Sequence, residues 1–152
     1  MCRSMSDSLG FLISNVSRLM RRRFDERARA IGVTRAQWRT LVVLSRNEGI
    51  NQGGLADLLE VEPITLCRMV DRLAEAGLVE RRRDPADRRA WRIHLTDAAR
   101  PLLDQLRGIA DQMIAQALDG ISADRQAALF DTLHDLQANL SNPSPLRETA
   151  NG

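Results

Sequence analysis

The chain has 152 residues, of which 43% are hydrophobic and 28% charged, with a net charge of +2 and two cysteines. That composition builds a folded core, and it excludes a disordered chain and a disulfide-stapled scaffold. No apolar run is long enough to cross a bilayer and no secretory leader is read in residues 1–10, so a cytoplasmic protein without membrane partners is expected. The charge is distributed unevenly: residues 1–96 carry 18 arginines against 12 acids, whereas residues 97–152 carry 4 against 8. Every basic residue is arginine, whose planar fork of donors suits phosphates and guanine edges. Codon bias in a GC-rich genome is an equally good reason for the missing lysines, but it does not explain the clustering of the arginines.

In chain order, Leu9, Leu12, Ile13, Val16, Leu19, Met20 and Phe24 recur at helical spacing, which predicts a helix over about 8–30 that Gly32 ends. Thr34 is placed to cap a second helix over 35–46, with Trp38, Leu41, Val42 and Leu44 inside. After a turn at 48–51, residues 52–59 read as a short helix weakened by Gly53 and Gly54. Leu55, Leu58, Leu59 and Val61 are expected to fill the space beneath the next helix. Pro63 suits a first helical position, and 63–76 follows as a helix stopped at Gly77.

The period then changes. Residues 78–83 and 91–95 read as two strands around the charged turn Asp84-Pro85-Ala86-Asp87-Arg88-Arg89, which makes a β-hairpin. Thr96 is expected to cap a helix over 97–118, and Ser122 a last helix to about Leu140. The expected fold class is mainly α with a small β-hairpin wing, that is, a winged helix-turn-helix with a helical dimerisation arm. The domain expectation is a dimerisation region at 8–32 and 97–140, a DNA-binding region at 33–96, and a disordered tail at 141–152.

Two short helices followed by a basic hairpin suit a DNA duplex. The second helix can enter a major groove, where Thr65, Arg68, Met69 and Arg72 are outward candidates for contact and the helix start at Ile64 and Thr65 favours a phosphate. Taken alone, the pair also reads as an ordinary helical hairpin with solvated arginines. The hairpin shifts the balance: Arg81, Arg82, Arg83, Arg88, Arg89 and Arg92 stand against only Glu80, Asp84 and Asp87. Arg82, Arg88 and Arg89 are DNA candidates, and an arginine tip suits a narrow minor groove. Asp87, two residues before Arg89, is expected to pair with its guanidinium.

Residues 51–98 strongly resemble the MarR family of bacterial regulators, through LADLL, RMVDRLAEAGLVER, the wing DPADRRA and IHLT. VTRAQW at 33–38 and GISAD at 120–124 are similar to its SlyA-type branch. The resemblance implies a homodimer on palindromic double-stranded DNA, with Thr65 and Arg68 at bases, Arg88 and Arg89 in the minor groove, and Asp87 orienting an arginine. It also implies a small aromatic acid bound between the dimer arm and the DNA lobes, with Arg18, Arg22, Trp38 and Arg39 as candidates. A core role for Trp38 and a solvated face for the arginines are the plainer alternatives. A dimer also follows from the apolar stripes of the first and last helices, which exceed what one winged unit covers.

The expected function is a sequence-specific transcriptional repressor and not an enzyme, with no cofactor or metal. Neither His94 nor His134 has a ligand partner at metal-binding spacing, and there is no Gly-rich phosphate loop. A ligand-independent nucleoid-type regulator and a redox-responsive regulator are the alternatives. For the latter, Cys67 on the recognition helix is the candidate, although its spacing also fits a small buried hydrophobe.

Overall fold

A computed structural model describes residues 8–141. They form two compact units, one ending at Ile114 and one beginning at Ala115. The first holds α1 (Leu9–Ala30), α2 (Arg35–Arg46), α3 (Gln52–Leu59), α4 (Pro63–Glu75), β1 (Val79–Arg83), β2 (Trp91–Leu95) and most of α5 (Ala99–Ala117). The second holds the end of α5 and α6 (Ala123–Ser141). The described residues are mainly helical with one two-stranded antiparallel hairpin, as their periodicities predict. Among the described residues no helix is long and apolar enough to cross a membrane. The expected tail falls, beyond Ser141, outside the described residues, as does Cys2.

Local chemistry sets the helix boundaries. Ser8 caps α1, and its hydroxyl accepts from the Phe11 N–H at 3.3 Å. Thr34 and Gln37 form a reciprocal capping box at the start of α2. The Asn51 side chain accepts from the Gly54 N–H at 2.7 Å and starts α3, so the two glycines do not prevent that helix. Gly54 has a packing reason to be glycine: a Cβ there would lie 3.2 Å from the Ile50 side chain. Gly77 turns the chain out of α4 at φ +74°, a backbone region that costs an L side chain about 1–2 kcal/mol.

Four details differ from the sequence expectation. β1 starts at Val79 rather than Leu78, and α4 ends at Glu75 with Ala76 as its cap. α5 starts at Ala99 because the Thr96 hydroxyl, expected to cap it, donates instead to the Gly77 carbonyl at 2.5 Å. Leu58 is 51% exposed; Leu55, Ala56 and Leu59 are the α3 residues that face α4 from the buried side.

One core joins the helix pair to the hairpin. Leu41 and Leu44 of α2, Leu55 and Leu59 of α3, Leu66, Val70 and Leu73 of α4, Val79 of β1 and Ile93 of β2 are buried in one cluster, with Ala99 at the start of α5. A smaller cluster gathers Phe24, Ala28, Val33 and Leu106, with Trp38, Ile109 and Met113 against it. Truncating Leu66 to alanine removes a fully buried side chain from the larger core. It should lower the unfolding free energy by about 2–5 kcal/mol in urea denaturation; a loss below about 1 kcal/mol would contradict this packing.

Candidate nucleic-acid interface

The α4 helix buries one face and offers the other to solvent. Leu66, Val70 and Leu73 are buried, while Ile64, Thr65, Arg68 and Arg72 are exposed, Ile64 at 69%. Met69 is only half-buried, because it sits at the margin of the core stripe. Cys67 is also half-buried, and its Sγ lies 3.8 Å from Arg81 Nη2. The first turn of α4 carries no side-chain cap, since Glu62 precedes Pro63 without bonding the helix start. Its amide N–H groups therefore point outward at the positive end of the helix dipole.

The hairpin is tied to the helical core along its length. Val79 pairs with Leu95, Arg81 with Ile93 and Arg83 with Trp91. The turn between α2 and α3 adds a further rung: the Gly49 N–H donates to the Ile93 carbonyl and the Ile93 N–H to the Ile50 carbonyl, each at 2.9 Å. Arg92 reaches from β2 to the Asp84 carboxylate at 2.9 Å and the Gly49 carbonyl at 3.2 Å. Asp84 is nearly buried and also accepts from the Ala86 N–H at 2.8 Å. That backbone bond, with help from Arg92 against the cost of burial, holds its carboxyl below the usual carboxylate range.

The tip is shaped by short-range bonds. Arg83 stacks its guanidinium 4.7 Å from the Trp91 ring centroid and donates to the Arg88 carbonyl at 2.8 Å. Asp87 does not pair with the Arg89 guanidinium as expected from its spacing. Its Oδ1 accepts from the Arg89 backbone N–H at 3.0 Å, closing an Asx turn that fixes the backbone rather than the side chain. Arg82 Nε donates to the exposed Glu80 at 2.8 Å. Arg88 and Arg89 are exposed. The six wing arginines thus separate: Arg81, Arg82, Arg83 and Arg92 are engaged within the protein, and Arg88 and Arg89 are not engaged among the described residues.

A second feature is a cavity of about 370 Å³ lined by α1, α2 and α5. Its apolar wall includes Met20, Phe24, Trp38, Leu103, Leu106 and Met113, and Arg21, Arg46 and Arg107 stand at it. Trp38 is the one sequence candidate that lines it. Arg18 donates to Asn15 at 2.8 Å and Arg22 pairs with Glu26 at 3.1 Å, both on exposed faces of α1; Arg39 is exposed on α2. Trp38 packs on Phe24, with ring centroids 4.5 Å apart, so its core role and its place in the cavity wall coexist.

Behind that wall lies buried Asp25, which sequence reading leaves unassigned. It accepts from Trp38 Nε1 at 3.0 Å and from Arg35 Nε at 2.7 Å. The available signal is position: next to Phe24, Asp25 falls on the inward face of α1. Burial alone would push its carboxyl up, but the Arg35 and Trp38 hydrogen bonds outweigh this and hold it below the usual value. Asp84 is signalled by the Asp-Pro turn dipeptide, and Arg81 by strand alternation, which puts it on the same face as buried Val79.

Fold and surface together define a winged helix-turn-helix protein, with a helix that exposes Arg68 and Arg72 beside an arginine-tipped wing. A family model described as MarR family matches residues 31–90. Wild-type MarR in its apo form from E. coli is 28% identical, with a TM-score of 0.79, covering 85% of this chain and 96% of that one. A MarR-family transcriptional regulator from Rhodococcus sp. RHA1 is 29% identical, with a TM-score of 0.73 and coverage of 89% and 96%. CouR from Rhodococcus jostii RHA1, solved bound to p-coumaroyl-CoA, is 28% identical, with a TM-score of 0.75 and coverage of 94% and 98%. The chain shares the winged-helix fold of these MarR-family proteins, and residues 31–90 carry the match to the family model.

The buried carboxylate gives a pH test. Because the Asp25 pKa is lower folded than unfolded, its contribution is complete above the unfolded value of about 3.9 and is lost as pH falls through the folded value. Asp25→Asn should lower stability by about 1–3 kcal/mol at pH 7. Its denaturation curves should converge with those of the wild type in strong acid; a difference that persists or widens there would contradict the ion pair.

Proposed function

We infer that this chain is a homodimeric repressor that reads a palindromic duplex, with α4 in the major groove and the wing tip in the flanking minor groove. The carrying observation is that a helix face presenting Thr65, Arg68 and Arg72 and a wing tip with two unengaged arginines are rooted in one apolar core. Arg68 is assigned to a guanine edge, and Thr65 and Arg72 to bases or phosphates. The α4 start at Ile64 takes a phosphate, and Met69 meets the groove wall. Arg88 and Arg89 enter the minor groove, where negative potential is strongest, while Asp87 keeps the tip backbone in shape. Arg82 belongs to the same basic flank, where a phosphate competes with Glu80 for it. The DPADRRA wing and GISAD support a place in the SlyA-type branch.

The dimer assignment rests on uncovered apolar faces in each unit. Phe11, Leu12 and Val16 on α1 are about half-exposed, and α6 buries no residue while exposing Leu129, Phe130 and Leu133. A second copy of the chain would cover both faces and set two recognition helices about 34 Å apart, one DNA turn. The domain division that follows gives the dimer arm 8–32 and 97–140 and the DNA-binding region 33–96.

A ligand response is the second part of the reading. The cavity offers a stacking ring at Trp38 and a cation at Arg21, Arg46 or Arg107, which suits a small aromatic or phenolic acid. The p-coumaroyl-CoA complex of CouR supports the phenolic part of that class, since its acyl group derives from a phenolic acid and carries the phenol ring. Arg18, Arg22 and Arg39 would act at most at its rim. Binding between α1, α2 and α5 would bias the separation of the two DNA lobes.

Selection from random DNA should enrich a palindrome. On that duplex, Arg68→Ala should cost about 1–3 kcal/mol and relax preference at one base position. Arg89→Ala should weaken binding and reduce the salt slope by about 2, roughly one for each subunit, while leaving the dimer intact by analytical ultracentrifugation. Equal losses for Arg68→Ala on selected and random DNA would remove it from base recognition, and a salt-independent affinity would overturn the duplex reading.

A further inference from the structure

Arg81 stands in an arginine-rich wing, yet its geometry is unlike that of its neighbours. Its register partner on β2 is Ile93, which is fully buried, so Arg81 lies on the inner face of the hairpin. Its side chain is 23% exposed, against 60% for Arg82. The guanidinium then reaches two other elements. Nε donates to Gln52 Oε1 on α3 at 3.2 Å, and Nη2 donates to the Cys67 carbonyl on α4 at 3.3 Å and pairs with Asp71 Oδ1 on α4 at 2.7 Å. One rigid fork therefore bonds β1 to both helices of the helix-turn-helix.

We propose that Arg81 is a positioning residue that sets the angle between the recognition helix and the wing, and that Asp71 is its partner rather than a solvated acid. This rests on the reading that α4 and the wing grip one duplex together. A guanidinium suits this role because its donors are fixed in a plane, so holding three acceptors on two helices constrains rotation as well as distance. A lysine ammonium is a point charge on a flexible stem and cannot reproduce the fork. Asp71 gives the sharper discrimination. A carboxylate on an exposed helix that approaches phosphates repels them, so its neutralisation should tighten binding if electrostatics alone operate. If it holds Arg81, neutralisation releases the wing and binding weakens.

The test uses the full chain and the duplex enriched from a random-sequence library, with affinity read by fluorescence anisotropy and folding checked by thermal denaturation. Asp71→Asn is expected to bind about tenfold more weakly, as a coupled pair should. Arg81→Lys should lose as much as Arg81→Gln, and the double variant Asp71→Asn with Arg81→Gln should be no weaker than either single one. Tighter binding by Asp71→Asn, or wild-type affinity in Arg81→Lys beside a loss in Arg81→Gln, would overturn the proposal and make Arg81 a phosphate contact. Amide hydrogen exchange of the free protein reads the same pair without DNA. Both Asp71→Asn and Arg81→Gln should speed exchange across 79–95 and leave α2 unchanged; unaltered exchange across 79–95 overturns the clasp. If Arg68→Ala and Arg89→Ala bind as the wild type does, the duplex reading fails separately, and the exchange result still decides the role of Arg81.

Discussion

A protruding helix and a hairpin can address one partner only if neither is free to move against the other. Here the restraint is Ile93, fully buried on β2 in the same cluster as Leu66, Val70 and Leu73 of α4. A two-stranded hairpin is at best marginally stable by itself in water. This one gains a buried inner face, the rung from Gly49 and Ile50, and the Arg92 bridge back to the α2–α3 turn. Packing limits the hairpin from within, and hydrogen bonds with a direction fix its orientation from the side.

The same contacts explain how a concentration of positive charge is tolerated. Arg92 is compensated by Asp84, Arg81 by Asp71 and Arg82 by Glu80, while Arg83 rests on the Trp91 face. Exposed pairs contribute little to stability, at about 0–1 kcal/mol each, so their worth lies in geometry rather than in holding the fold. What remains uncompensated is Arg88 and Arg89 at the tip, on a backbone shaped by two Asx turns from Asp84 and Asp87. A polyanion would find these two charges already displayed, with the surrounding arginines acting as scaffold.

The elements are legible in the sequence because each is signalled locally. Thr34 and Pro63 mark helix starts, Gly32 and Gly77 mark stops, and the switch from helical to alternating periodicity marks the wing; the Asn51 cap of α3 is hidden in what reads as a turn. The exposed face of α4 follows from the same periodicity, which is why Arg68 and Arg72 can be read and Met69, at the stripe margin, only in part. What sequence does not carry is which long side chain meets which partner. Asp87 is as close to the Arg89 guanidinium as to its N–H by spacing, and only the turn geometry chooses between them. Thr96 is equally able, by position, to cap α5 or reach Gly77. The Asp25, Arg35 and Trp38 group and the cavity in front of it join residues from α1 and α2 to α5, so no local window contains them.

These features give the protein two places where shape is set: the wing root, and the Asp25 network behind the cavity wall. Both are polar groups in or beside apolar cores, where a satisfied hydrogen bond favours one geometry and a broken one is costly. Hydroxyl-radical footprinting of the wild-type chain on its selected duplex tests most directly whether helix and wing grip DNA as one unit. Minor-groove protection flanking each recognised major groove, repeated symmetrically about one helical turn apart, is the expected pattern. Protection of guanine N7 from dimethyl sulfate in the major groove without hydroxyl-radical protection of the minor-groove flanks, or no protection that survives competition by heparin, would contradict it.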